Sequence, residues 1–259
     1  MTPDPQTNNL IGDENPGNSE RQSSSWDIKN APRNYFWLVI FQAGSALFSF
    51  ASVLVLTRYL GSDGYGGIVA IVAASQVAQV LVNWTSVAVV RFGVEEFIET
   101  EKIARTFWIR LIVLAVNLAF VLIFANLWFP PLASWLKLSA EAFWLVIVHF
   151  AFSALWVHIQ MSLQGTKMPR LQGMLQMLER LLILAGLIIF LFAGQLEVYR
   201  VMICYISAPL AMTLVGSYKL RTFILSHFTV DRRFIRKIVL YSAPLAPMAF
   251  VGYFAGSYL

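Results

Sequence analysis

Four long apolar stretches of this sequence carry polar side chains at intervals of three or four residues, which places those side chains on one face of a helix. Amides and imidazoles are costly to bury without hydrogen-bond partners, so we interpret the four faces as walls of a shared aqueous interior. The alternative is hydrogen bonding between packed helices, which we favour for the serines. The faces consist of Gln42, Ser45, Ser49 and Ser52; Gln76, Gln79 and Asn83; His149, Ser153, Trp156 and Gln160; and Gln172, Gln176 and Glu179.

Two adjacent charges, Glu179 and Arg180, precede the apolar run 181–193. That run is too short to cross about 30 Å of hydrocarbon, so the helix must include both charges. Neighbouring residues point about 100° apart on a helix, so each charge is expected to meet a partner on another element. The alternative is a structural ion pair that fastens the helices together. Three other arginines lie at the ends of apolar runs, where their side chains are expected to reach the membrane interface: Arg91, Arg110 and Arg200.

Membrane-spanning helices must position these residues. Hydrophobic residues make up 58% of the 259 positions and charged residues 13%, a composition typical of integral membrane proteins. A spanning helix needs about 20 mainly apolar residues, and its backbone groups must be satisfied within the helix. We therefore predict an all-α membrane protein with six complete transmembrane helices and the start of a seventh. The predicted spans are 35–57, 67–90, 107–127, 142–163, 171–193, 198–218 and 238–259.

The distribution of lysine and arginine predicts the orientation. With the N terminus in the cytoplasm, only Arg58, Lys137 and Arg200 of the 19 basic residues fall on the outer side, as the positive-inside rule requires. The net charge of +5 therefore reflects membrane topology and contact with anionic lipids, and we expect no nucleic-acid partner. The single cysteine, Cys204, excludes an internal disulfide and argues against a cysteine-based metal site.

The sequence divides into four segments. Residues 1–34 are polar and predict a disordered cytoplasmic tail with no cleaved signal peptide. A six-helix transmembrane lobe is expected at 35–218, a basic cytoplasmic linker at 219–237, and a seventh transmembrane helix at 238–259.

The segment LTRYLGSDGYG, residues 56–66, joins the first two spans. Its pattern of Arg58, Leu60, Gly61, Tyr65 and Gly66 resembles the polysaccharide or oligosaccharide flippases of the multidrug/oligosaccharidyl-lipid/polysaccharide exporter superfamily. Such proteins often carry Pro and Glu where this sequence has Ser62 and Asp63. Further resemblance lies in two other segments. After the second span, VVRFGVEEFIETEKIAR has an arginine followed by a gap and acidic residues, and after the fourth, LQGTKMPR has Gln-Gly and then a basic turn.

The resemblance implies a two-lobe exporter in which two six-helix lobes rock to give alternating access. This chain would then be the N-terminal lobe and the start of the second lobe; a half-length protein that dimerises is the alternative. The implied activity is flipping of a lipid-linked oligosaccharide or polysaccharide precursor across the cell inner (cytoplasmic) membrane. The implied partners are a polyprenyl-linked glycan, membrane lipids and glycosyltransferases or a polymerase of the same pathway.

Transport of this kind needs groups that hold phosphate and sugar, and guanidinium and amide groups suit that task. Arg58 either reaches the outer headgroups or contacts an anion in the interior. The candidate cavity residues are Arg58, Gln76, Gln79, Asn83, Gln172, Glu179 and Arg180.

Three other functions remain open. A cation-coupled multidrug exporter of the same superfamily should bury several carboxylates, but only Glu179 lies within a span. A membrane-embedded glycosyltransferase or polymerase would need a catalytic site in a sizeable aqueous loop, and the outer loop FPPLASWLKLSAE has one acid. A seven-helix receptor should have its N terminus outside, which is contrary to the distribution of lysine and arginine. We expect a transporter without catalytic residues, cofactor or bound metal.

Overall fold

The fold was taken from a computed structural model that describes residues 16–139, 141–226 and 231–247. All regular secondary structure in these residues is helical, which confirms the predicted all-α class. Five helical stretches are long and apolar enough to cross a membrane: Phe36–Asn83, Ala104–Ile123, Ala142–Gly165, Pro169–Phe192 and Val198–Ile224. The helices are α1 (Pro16–Asn83), α2 (Ser86–Thr100), α3 (Ala104–Ile123), α4 (Ala125–Leu136), α5 (Ala142–Gly165), α6 (Pro169–Phe192), α7 (Val198–Ile224) and α8 (Arg232–Ser242), followed by a 3₁₀ turn at Ala243–Leu245.

The longest apolar stretch, Phe36–Asn83, contains 48 residues and is broken at Gly61. A continuous helix of that length would measure about 72 Å, more than twice the hydrocarbon thickness. Gly61 has φ 69° and ψ −175°, a backbone conformation that only glycine adopts readily. The break separates a first arm, residues 36–60, from a second arm, residues 62–83.

The two arms run in opposite directions along α6. In the first arm, Gly44 packs beside Met177 of α6, and Leu56 belongs to the hydrophobic cluster that contains Leu187. In the second arm, Ile68 belongs to that same cluster, whereas Gln79 lies with Glu179 further back along α6. The chain therefore reverses at the break.

The structure differs from the predicted helix limits at three connections. The predicted second span continues to residue 90, but helix α1 ends at Asn83 and α2 begins after a two-residue turn. Side chains of α3 stabilise this break, because Arg110 donates to the Asn83 side chain and Asn117 donates to the Val82 carbonyl. The segment 91–105, between the second and third predicted spans, is helical to Thr100. Helix α4 occupies most of the predicted outer loop FPPLASWLKLSAE.

Helix α8 lies in the predicted linker and seventh span, and its apolar face packs onto α2 and α3. Ile238 is fully buried in one cluster with Phe92 and Ile109. The Phe92 ring centroid lies 5.7 Å from that of Phe234 and 5.4 Å from that of Tyr241. The remainder of the predicted seventh span, from residue 248, lies outside the described residues, as do residues 1–15 of the predicted tail.

Two carboxylates, one on α2 and one just before α8, cap the first turns of α3 and α8. The Glu96 side chain accepts hydrogen bonds of 2.8 Å from the backbone N–H groups of Arg105 and Thr106, at the start of α3. The Asp231 side chain accepts one from the backbone N–H of Arg233, at the start of α8, and pairs with the Arg105 guanidinium. The backbone hydrogen bond, together with the nearby guanidinium, holds the pKa of Asp231 below its usual value. The ion pair between Arg105 and Asp231 therefore links the start of α3 to the start of α8.

Candidate functional site

A polar cavity of about 190 Å³ lies between the second arm of α1 and helices α5, α6 and α7. Three of the four polar faces predicted from the sequence converge there. The exposed side chain of Gln76 places one side of the cavity at the protein surface. The lining residues are Val72, Gln76, Gln79, His149, Ser153, Trp156, Val157, Gln160, Gln176, Glu179, Arg180, Ile183 and Tyr205.

The carboxylate of Glu179 is held by one strong contact in the cavity wall. The indole Nε1 of Trp156 donates to Glu179 Oε2 at 2.8 Å, and the two residues are only 3% and 8% exposed, respectively. A hydrogen bond to a charged, buried group is stronger than one between neutral groups. Trp156 therefore fixes the carboxylate against α5.

The guanidinium of Arg180 also lines the cavity. Among the residues that the structure describes, none accepts a hydrogen bond from it; its charge lies near Glu179, His149 and Tyr205. The partner expected for Arg180 on another helix is thus not found among them. A guanidinium carries five N–H donors in a planar fork that suits phosphate or carboxylate oxygens. The cavity wall therefore offers a half-buried cation with its donors available.

An imidazole and a hydroxyl lie beside these charges. His149 Nε2 is 3.4 Å from Ser153 Oγ, a contact in which either atom can be the donor, depending on the tautomer. The second ring nitrogen of His149 is buried and has no hydrogen-bond partner in the part of the chain that the structure describes. Helix α5 therefore adds an imidazole and a hydroxyl to the cavity lining, and neither is a carboxylate or a guanidinium.

The other candidate residues from the sequence lie elsewhere. Arg58 is exposed close to the break at Gly61, and Gln172 is half-buried on α6 outside the cavity lining. Asn83 lies beyond the cavity and accepts a hydrogen bond of 3.2 Å from Arg110. Of the seven candidates, Gln76, Gln79, Glu179 and Arg180 are the four that share the cavity.

The polar face of the first arm does not reach the cavity. Ser45 and Ser52 are buried, and Ser52 Oγ donates within its own helix to the Phe48 carbonyl at 2.8 Å. Ser52 therefore bonds within its own helix and not to a packed neighbour, so this contact is not the predicted hydrogen bond between helices. The first arm packs instead against the face of α6 that carries Gly173.

Two residues were not anticipated. Tyr205 of α7 lines the cavity, although its apolar surroundings in the sequence give no periodic signal. Arg110 was expected to reach the membrane interface, but this was wrong: it is 0% exposed. Its side of α3 faces the second arm and α5: it donates a hydrogen bond to Asn83, and its charge interacts with His158 of α5.

Comparison with known proteins identifies the family. The family model described as "Polysaccharide biosynthesis protein" matches residues 31–256, which include all five apolar stretches. No curated protein and no solved structure matches the chain. The chain belongs to this polysaccharide biosynthesis family, the polysaccharide/oligosaccharide flippases of the multidrug/oligosaccharidyl-lipid/polysaccharide exporter superfamily.

Proposed function

We propose that this protein is a transporter that flips a lipid-linked oligosaccharide or polysaccharide precursor across the cytoplasmic membrane by alternating access. The observation that carries the proposal is the Arg180 guanidinium, which has no hydrogen-bond acceptor among the described residues and lies in a polar cavity between apolar helices. An intramembrane charge in a cavity is a typical mark of a substrate path.

We propose six complete transmembrane helices, with the N terminus in the cytoplasm and a seventh helix that begins the second lobe. The opposite directions of the two arms support counting Phe36–Asn83 as two spans. The excess of lysine and arginine on one side of the resulting topology supports the orientation. Both arms, α3, α5, α6 and α7 then form one lobe.

The contacts in the cavity suggest how the headgroup would be held. Trp156 binds the Glu179 carboxylate, which leaves the fork of Arg180 free to bind phosphate oxygens. The amides of Gln76, Gln79 and others can donate to and accept from sugar hydroxyls. These contacts replace the hydration that the headgroup loses on leaving water. The reaction makes and breaks no covalent bond, so the protein needs no nucleophile, metal or cofactor.

The size of the cavity limits what enters it. Sites for drug-sized ligands have volumes of about 300–1,000 Å³, whereas this cavity has about 190 Å³. It therefore accommodates a phosphate or a single sugar-sized group. The rest of the glycan would lie outside this lobe and the polyprenyl tail in the surrounding lipid. Glycosyltransferases or a polymerase of the same pathway would make or extend the cargo.

The test compares Arg180→Ala and Arg180→Lys in the full-length protein, measured as glycan exported per amount of protein in the membrane. Loss of a bidentate, charge-assisted contact should lower export by about 10–100-fold for Arg180→Ala. Arg180→Lys, which keeps the charge but loses the fork, should fall in between. Arg236→Ala, which removes an exposed arginine of α8, serves as the matched control. Wild-type export by Arg180→Ala at equal abundance would contradict the proposal.

A further inference from the structure

A second charged site lies apart from the cavity, around Arg110 of α3. Its side chain is 0% exposed, and it is the largest fully buried residue of those that the structure describes. Its Nη2 donates to Asn83 Oδ1 at 3.2 Å, and neither Nε nor Nη1 has a hydrogen-bond partner among the described residues. A guanidinium with five N–H donors is thus buried with a single hydrogen bond, to a neutral amide.

The polar groups around Arg110 also lack partners. Three buried groups make no hydrogen bond within residues 16–139, 141–226 and 231–247: Asn83 Nδ2, both ring nitrogens of His158 and the hydroxyl of Thr106. Thr106 lies one helical turn before Arg110, on the same face of α3. His158 of α5 is close enough to interact with the Arg110 charge, and its ring packs 4.6 Å from that of Phe107. The cluster therefore combines a cation with several unused donors.

Within the described part of the chain, no carboxylate lies at salt-bridge distance from the Arg110 guanidinium. The Glu96 carboxylate accepts from backbone N–H groups at the start of α3, and the Glu179 carboxylate accepts from Trp156. Arginine cannot lose its proton inside a protein. Burying such a charge without a counter-charge costs several kcal/mol, so the fold is expected to supply one.

We propose that Arg110, Asn83, Thr106 and His158 bind a small inorganic anion of the size of chloride. The anion would accept from the free guanidinium nitrogens and the neighbouring donors, and so join the second arm, α3 and α5. A lipid headgroup does not fit, because Arg110 and Thr106 are fully buried. Asn83 is only half-buried and gives the site a side near the surface, through which an ion could exchange. This site is independent of the proposed transport function.

The test measures thermal unfolding of the detergent-purified full-length protein in sodium chloride and in sodium gluconate at equal ionic strength. A ligand that binds only the folded state raises the unfolding midpoint as its concentration exceeds the Kd. At about 100 times the Kd, the midpoint should be raised by about 5 °C in chloride. Bromide should replace chloride, whereas sulfate, which is larger and doubly charged, should not. Equal midpoints in chloride and gluconate would overturn the proposal.

Variants identify the site. Arg110→Gln should remove the chloride dependence, whereas Arg91→Gln, which changes an exposed arginine of α2, should retain it. Should Arg110→Gln not fold, Thr106→Val removes one donor at nearly constant volume and should shift the chloride midpoint to several-fold higher concentration. A chloride dependence that is unchanged in Arg110→Gln, or in Thr106→Val where that variant is needed, would place the ion elsewhere and refute the assignment.

Discussion

Replacing Trp156 with phenylalanine tests the contact that fixes the charge arrangement of the cavity. The change removes the indole N–H that donates to Glu179 at 2.8 Å and leaves an aromatic ring in place. A hydrogen bond to a charged group contributes about 1.5–3 kcal/mol, and the smaller ring adds a modest loss of packing at a residue that is only 3% exposed. We therefore expect the free energy of unfolding to fall by about 2–4 kcal/mol.

A double-mutant cycle separates these two contributions. Unfolding would be followed in mixed micelles by titration with sodium dodecyl sulfate, for Trp156→Phe, Glu179→Gln and the double variant. In the Glu179→Gln background, the loss caused by Trp156→Phe should be about 1–2 kcal/mol smaller, because an uncharged amide is less costly to leave unpaired. Trp144→Phe, at a residue that is 69% exposed, should change stability by less than about 0.5 kcal/mol. Equal losses in the two backgrounds would refute a charge-assisted bond.

Two further predictions concern helix ends and helix packing. Glu96→Gln should lower the free energy of unfolding by about 1–2 kcal/mol, because the carboxylate caps two backbone N–H groups of α3. The measurement is thermal unfolding, and Glu99→Gln, also on α2, is the control. An equal loss of stability in Glu99→Gln would contradict the capping role of Glu96. Gly216→Ala should cost about 1–3 kcal/mol, because a Cβ at this position would overlap Ile159 Cγ2. Gly66→Ala, where a Cβ meets nothing within 4 Å, should be neutral in the same denaturant titration, and similar losses for both would disprove the close packing.

The limits of the apolar helices could be predicted well from the sequence where residues close to each helix end determine that end. The predicted span 142–163 corresponds to α5, Ala142–Gly165, and the span 171–193 to α6, Pro169–Phe192. Helix α6 begins at Pro169, and proline is favoured in the first turn of a helix. The start of α6 is therefore indicated by a residue at that position. The break after Asn83 could not be predicted in this way. It is stabilised by side chains of α3 that are distant in the sequence.

The polar residues of the cavity were predictable to the extent that helical periodicity marks a face. Periodicity groups Gln76 with Gln79, but it does not say which neighbouring helix a face meets. For this reason the serines of the first arm were grouped with residues from which the structure separates them. The sequence pattern likewise does not distinguish Arg91 from Arg110, because both are arginines at the end of a predicted span. Arg91 is exposed, whereas Arg110 faces α1 and α5 and is buried.

The docking of α8 onto α2 and α3 bears on how this protein can be divided for experiments. Phe92 and Ile109 are covered by Ile238 and its neighbours, so a chain truncated before Asp231 would expose these apolar side chains. Such a truncated chain should aggregate unless a surfactant or an added helix shields them. Shortened forms made for experiments should therefore keep residues 231–247.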